Sequence, residues 1–298
     1  MTGPAQAGIL QAVPAAARYV SFALAPGALP PAALPAVLKR LAEAADGEQV
    51  VVGIGPSLVA ALGASVPGLH EFQALSGHGV EVPSTPIALW CWLRGEDRGD
   101  LLHLSRRLVR LLQPAFQLRE VVDAFRHKTG RDLTGYEDGT ENPRGELAEE
   151  AALVHGAGPG LDGSSFVAVQ QWVHDFDAFG LLAEADRDNH FGRRLADNVE
   201  LEDSPTWAHV KRTAQESFDP PAFMLRRSMP WTLGMQGGLM FVAFGKSHAA
   251  FEAQMRRMAG HDDGITDAMF RISKPVTGAY FWCPPMRGAT LDLRRLGL

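Results

Sequence analysis

The chain reads as an α+β protein built from two β-α-β-β-α-β units of ferredoxin-like order, with antiparallel sheets packed face to face. Two observations point there. Strand-like alternation and helix-like periodicity follow one another in the same order in both halves, and a long polar, glycine-rich stretch (127–163) separates them. At 298 residues and 46% hydrophobic, the chain can bury one large core or two ordinary ones. The expected division is 1–135 as an N-terminal half and 136–298 as a C-terminal half.

In the first half, "RYVSFAL" (18–24) alternates as a strand. "PPAALPAVLKRLAEAADG" follows as a helix, with prolines at its start and Gly47 past its end. "QVVVGIG" is a strand leading into a short helix, "PSLVAAL". Then come the strand "PIALWCWLRG", the helix "DRGDLLHLSRRLVRLLQP" and the strand "FQLREVVDAF". That second long helix places Leu101, Leu104, Leu108 and Leu111 on one packing face, with Arg106, Arg107 and Arg110 on its solvated back. In the second half, "SSFVAVQQWVHD" (164–175) is a strand and "FDAFGLLAEA" a helix. "AFMLRRSMP" and "GLMFVAFG" are two strands joined by a glycine-rich turn, "HAAFEAQMRRMAG" is an amphipathic helix, and "GAYFWCP" is the closing strand. Long irregular stretches are expected over 127–163 and 186–220, and connections of that length in a compact protein usually carry function.

Composition excludes several classes. A net charge of −6 with 21% charged residues offers no basic patch for nucleic acid or a membrane surface. No apolar run reaches the roughly 20 residues that span a bilayer, and the N-terminus lacks a basic region before its apolar part. A cytoplasmic location is the expectation. Cys91 and Cys283, each inside an apolar aromatic run, are expected to be buried, reduced thiols. No C-x-x-C-H occurs, and two cysteines cannot supply a Cys₄ site.

The motif that demands an explanation is "GYEDGTENP" (135–143), with oxygen donors Asp138, Thr140 and Asn142 at alternate positions. A calcium loop would need glycine where Pro143 stands. An Asx-turn at Asp138 before Gly139 accounts for the spacing without any chemistry. The ten histidines form no i, i+4 metal pair, and no nucleophile elbow, Walker loop or dinucleotide fingerprint is present.

GYEDGTENP resembles the G-x-x-D-G motif of the dye-decolourising peroxidases. "VQQWVHD" (169–175), "AHVKR" (208–212), "LRRSMPW" (225–231), "GLMFVAFG" (238–245) and "DAMFRISKPVTGAYFW" (267–282) agree in order. The similarity covers nearly the whole chain, is densest after residue 130, and looks like the B-type subgroup. It implies one non-covalent haem b per chain, held in the C-terminal half. It also implies oxidation of phenolic or dye-like donors by hydrogen peroxide through a ferryl intermediate.

Carried over by position, Asp138 is the distal acid–base residue, His209 the axial ligand of the haem iron and Arg226 the distal arginine. Ser228 stands where the B-type pattern often has Asn; alternation would keep it on Arg226's face, with a shorter reach. Arg193 is implied to hold a propionate, with the adjacent Arg194 as the alternative. Thr140 and Phe241 fall among the implied cofactor contacts. Asp267 is the expected carboxylate partner of the axial histidine and Asp263 the second choice; capping of a short helix would equally explain Asp267. The residue types suit the chemistry. A carboxylate over the iron can take a proton from peroxide and return it to the departing oxygen. A fixed arginine stabilises the charge that develops between these steps. The other reading is a haem-handling protein that binds porphyrin and delivers or releases iron. The expected partners are peroxide, a small aromatic reductant and further copies of the chain in a homo-oligomer. The Leu-Gly-Leu ending also leaves encapsulin cargo open.

Overall fold

The computed structural model describes residues 5–27, 33–113 and 115–298. The first half runs β1 (Ala16–Leu24), α1 (Ala33–Ala44), β2 (Val50–Ile54), α2 (Pro56–Ala61), β3 (Leu75–Gly77), β4 (Val80–Val82), β5 (Leu89–Gly95), α3 (Arg98–Leu112) and β6 (Phe116–Phe125). The prolines expected at the start of α1 (Pro30, Pro31) and at the end of α3 (Pro114) lie outside the described residues. The second half runs α4 (Glu146–Ala152), β7 (Ser165–His174), α5 (Phe176–Leu181), α6 (Glu184–Phe191), α7 (His209–Thr213), β8 (Leu225–Arg226), β9 (Met229–Leu233), β10 (Gln236–Gly245), α8 (Ala249–Met258), β11 (Ser273–Pro275) and β12 (Ala279–Cys283). A last hairpin joins β13 (Met286–Arg287) to β14 (Thr290–Leu291).

Several elements differ from the sequence expectation. The small β3–β4 hairpin was not foreseen, and α4 and α7 lie inside stretches expected to be irregular. Five and seven residues are too few to show a helical period. The single helix expected over 176–185 divides at Leu182, whose ψ of 137° is extended. The strand expected over 222–230 breaks after Arg226: β8 and β9 both pair with β10, but residues 227 and 228 belong to neither.

Antiparallel pairing links β7, β12, β2, β5, β1, β6, β9 and β10 in a ring that closes where β10 meets β7. Each half contributes four of these strands. Between halves the pairing is thin: Trp282 opposite Ile54 at one seam and Ala124 opposite Trp231 at the other. The result is two packed sheets whose edges meet in a barrel. Strand alternation then sorts the side chains. Tyr19, Trp90, Trp92, Phe244 and Phe281 fill the space between the sheets. The outer face of the first sheet is covered by α1 and α3, with Leu101 and Leu108 buried and Arg106, Arg107 and Arg110 exposed, as their spacing predicts. On the outer face of the second sheet, Phe251, Met255 and Met258 of α8 pack toward Trp172 and Tyr280.

Cys91 and Cys283 are buried and unbridged, and burial pushes the Cys91 thiol up to about 12. Among the described residues no helix is long and apolar enough to cross a membrane.

His248, just before α8, is buried and stacked on Tyr280 at 3.8 Å between ring centroids. Burial, with a smaller contribution from nearby His70, pushes its imidazole down to about 3, against about 6.5 in an unfolded chain. The unfolded state therefore takes up the proton first. The contribution of the neutral ring to stability is complete above pH 6.5 and is lost as pH falls toward 3. His248→Phe keeps the stack and removes this titration. Thermal unfolding between pH 7 and pH 4 should show a shallower acid decline in the variant than in the parent. Parallel declines would exclude His248 as the titrating group.

Candidate active site

The outward faces of β7 and β10 form the wall of a cavity, with Gln170, Trp172 and His174 from one strand and Leu239 and Phe241 from the other. Met224, Phe251, Met255, Met258 and Met269 complete its apolar lining. A second lobe shares His174, His209, Arg226 and Asp138 with the first and adds Thr140, Arg193 and Asn198. From Asp138 and Arg226 a polar groove lined by Arg131, Glu137, Thr140, Asn142 and Ser228 leads outward.

His209 opens the short helix α7 and lines both lobes. Its Nδ1 lies 2.8 Å from Oδ2 of Asp267, a carboxylate with 0% exposure. Nε2 makes no hydrogen bond among the described residues. The other oxygen of Asp267 accepts the backbone N–H of Met269 at 2.8 Å, capping a 3₁₀ turn. The two sequence readings of Asp267, histidine partner and helix cap, thus hold together, one per oxygen. Asp263 is engaged elsewhere: Arg212 grips it with two bonds of 2.7 and 2.8 Å and holds its carboxyl below the usual carboxylate range.

Across the cavity, the Asp138 carboxylate faces the Arg226 guanidinium at 3.7 Å, and each side chain is largely enclosed. The sequence explains how two distant segments meet. Asn142 donates to the carbonyl of Arg226 at 3.0 Å and accepts its N–H at 2.8 Å, so the loop is stitched to β8 as a strand would be. Gly139 has φ +76°, and a Cβ there would sit 2.6 Å from Nδ2 of Asn142; the glycine is required both by the turn and by the stitch. At the other end of the loop, His174 meets Asp132 through Nε2 at 2.9 Å and Ser273 through Nδ1 at 2.7 Å. Burial opposes charge on Asp132, yet the bonds with His174 and Thr134 hold its carboxyl below the ordinary value. The segment that carries Asp138 is therefore fixed at both ends.

The remaining sequence candidates are distributed around this centre. Arg193 faces the second lobe and binds Glu141 at 2.6 Å, whereas Arg194 turns to the surface and pairs with Asp197. Thr140 accepts a bond from Asn198 at 2.9 Å. Phe241 lies on the cavity wall against Phe251. Ser228 reaches the outer groove but not the cavity, and its hydroxyl accepts the N–H of Val242 at 3.3 Å. Ser228 thus shares with Asp138 and Arg226 the groove that leads outward, although the strand breaks between β8 and β9.

Sequence reasoning missed Asn142 as a stitch and the Asp132–His174 pair. His174 shares a strand face with Gln170 and Trp172, so alternation alone could have flagged it. Asp132 carried no signal. Gln215, which accepts from Met224 N–H and donates to the Glu141 carbonyl, was equally silent.

A planar macrocycle with a central metal and acidic edges fits these walls. The imidazole has one free nitrogen, the flanking surfaces are apolar, and Arg193 stands at the polar lobe. Gln170 adds a buried amide nitrogen without a partner.

Residues 129–288, just over half of the chain, match the family model described as Dyp-type peroxidase, C-terminal. A dye-decolorizing peroxidase of Mycolicibacterium paratuberculosis is 32% identical over 222 residues, 72% of this chain. The match spans 63% of that relative, less than two thirds of its length. Among solved structures, a putative Dyp-type peroxidase from Shewanella oneidensis aligns with a TM-score of 0.86 at 26% identity, covering 99% of this chain and 98% of the other. A DypB variant from Rhodococcus jostii RHA1 in complex with heme aligns with a TM-score of 0.83 at 26% identity over 93% and 95%.

Replacing Asn142 by Ala should leave the Arg226 N–H unpaired and its carbonyl with only the 3.2 Å bond from Arg227, at a cost of about 1–3 kcal/mol. Hydrogen exchange should accelerate at Arg226 and through residues 138–142 while β7 keeps its protection. Unchanged exchange at Arg226 would show that the stitch does not hold the loop.

Proposed function

The chain belongs to the dye-decolourising peroxidase family, and from that premise we propose that it is a haem b peroxidase that reduces hydrogen peroxide at the expense of phenolic or dye-like donors. One observation carries this reading: a histidine backed by a buried carboxylate and an Asp–Arg pair share one cavity. Holding haem for delivery or iron release would need only the histidine and the edge contacts, so the Asp138–Arg226 pair favours the enzyme over the haem-handling alternative. The division near residue 135, into a supporting half and a cofactor-holding half, is part of the same proposal.

His209 would hold the iron through Nε2, and Arg193, Thr140 and Phe241 would meet the edge and faces of the macrocycle. Haem, when bound, supplies the redox chemistry that breaks the O–O bond. Asp267 fixes the imidazole's tautomer and orientation and makes it a stronger donor. Asp138 takes the proton of peroxide arriving through the groove and returns it to the oxygen that leaves as water. Arg226, a fixed cation at 3.7 Å, stabilises the negative charge present between those two transfers. Ser228 acts from the groove, through water, with its hydroxyl already committed to Val242.

The chain is further proposed to work as a cytoplasmic homo-oligomer, and light scattering that reports only a 32.1 kDa particle would refute the assembly. Encapsulin cargo receives less support from the C-terminal leucines, since Leu293 and Leu296 are buried in the first-half core.

His209→Ala should lose most of its haem or change its ferric spectrum sharply. In stopped-flow mixing with peroxide, Arg226→Leu should be slowest, by about 10²–10³-fold, because nothing nearby replaces a fixed charge. Asp138→Ala should be slowed less, since water can relay its proton, and Ser228→Ala least. Three variants that react like the parent would overturn the distal assignment.

A further inference from the structure

The two ends of the barrel are built differently. One is plugged by residues 5–13. The Gln6 amide bonds the carbonyls of Val52 and Pro284, Arg94 binds Gln11 and the Ala12 carbonyl, and Arg227 binds the carbonyls of Ile9 and Leu10. Among the described residues the other end is open, as a cleft of about 370 Å³ between the two sheets. Its inner surface is aromatic: Trp90 stacks between Tyr19 (6.0 Å, 18°) and Phe281 (5.8 Å, 19°). Its rim is polar, with Ser21, Thr85, Arg119, Glu120 and Thr277. The Trp90 indole nitrogen is buried without a partner where its ring lines the cleft; the Tyr19 hydroxyl, also unpaired, lies toward Arg94 at the plugged end. Buried donors are ordinarily paired. An apolar cleft with a few convergent polar groups is the usual form of a small-molecule site.

The position of the cleft matters as much as its lining. Val169 and Met240 form its back wall, pointing inward from β7 and β10. Their chain neighbours Gln170, Leu239 and Phe241 point outward into the cavity of His209 and Asp138. One thickness of sheet separates the two spaces.

We propose that this cleft binds a flat phenol carrying an oxygen acceptor, and that it is where the reductant of the proposed peroxidase sits. The ring lies against Trp90 and Phe281, and its oxygen acceptor meets the Trp90 N–H after a small side-chain adjustment. With haem bound and peroxide as the oxidant, each phenol would give one electron across the β7–β10 pair toward the cavity of His209. Its hydroxyl proton passes to the Glu120 carboxylate at the rim and on to solvent. Two phenols so oxidised to phenoxyl radicals supply the two electrons and two protons that turn one hydrogen peroxide into two waters. The inference rests on the peroxidase reading for the electron's destination, but not for binding.

The test is calorimetric titration of 2-methoxyphenol into the haem-loaded protein, with Ala23→Trp filling the mouth of the cleft and Trp90→Phe keeping the ring but removing the indole donor. Ala23 lines the cleft and is only partly buried, so its replacement leaves the core intact. Affinity should fall at least tenfold in Ala23→Trp and severalfold in Trp90→Phe. KM for the phenol should rise with Kd, the reaction with peroxide alone should be unchanged, and saturating phenol should leave the haem absorption bands of the resting protein unmoved. Equal affinity in parent and Ala23→Trp, or a phenol-induced shift of those bands, overturns the proposal. Binding lost in Ala23→Trp without peroxide-driven oxidation in the parent keeps the cleft and defeats the peroxidase reading instead.

Discussion

The antiparallel pairing of β7 with β10 is the constraint on which the rest of the molecule depends. Eight residue pairs, from Gly238 opposite Val173 to Gly245 opposite Phe166, fix the register of these strands. Because side chains alternate, one register settles two environments at once. Val167, Val169, Met240, Val242 and Phe244 face the barrel interior, while Gln170, Trp172, His174, Leu239 and Phe241 face the cavity. A slip of one residue would exchange the two sets, emptying the core and filling the cavity with aliphatic side chains.

Around this rigid pair the chemistry is assembled from irregular backbone. The loop of Asp138 has no ladder of its own and borrows two anchors, His174 on β7 and the Arg226 backbone on β8. The arginine that faces the carboxylate therefore also holds, through its main chain, the loop that delivers that carboxylate. Distance between the two charges is set by main-chain hydrogen bonds more than by their mutual attraction, which at 3.7 Å is a weak determinant of geometry. On the opposite wall Asp267 serves two structural demands, one per oxygen, and its burial is tolerated because both are met.

Much of the fold was legible because its elements are long and periodic. β1, α3 and α8 each show a face in the sequence that the structure buries, and the apolar runs of β5 and β7 are buried almost throughout. What was illegible is short or broken: α7 is only five residues, β8 two, and the interruption at residues 227 and 228 leaves no mark in composition. The same break leaves Ser228 in the groove it shares with Arg226 and outside the inner cavity. Among the site residues, Asp138 and His209 were found through resemblance of their surrounding motifs. Asp132 and Gln215 escaped, because a lone polar residue in a loop carries no period and no neighbour to mark its partner.

The sequence by itself determined the α+β class, the duplicated order and the residue types available for acid–base and ligand chemistry, since these follow from local periodicity and from motifs a few residues long. Only the tertiary structure placed Asp267 rather than Asp263 against His209, and Arg193 rather than Arg194 against the cavity. Each pair is separated by four residues or fewer, and the choice depends on which member meets His209 or the cavity and which meets Arg212 or Asp197. It also gave Asn142 a purpose, because the backbone it pairs with lies 84 residues further along the chain. Contacts of that range are fixed by the closure of the two sheets, a condition no local stretch of residues contains.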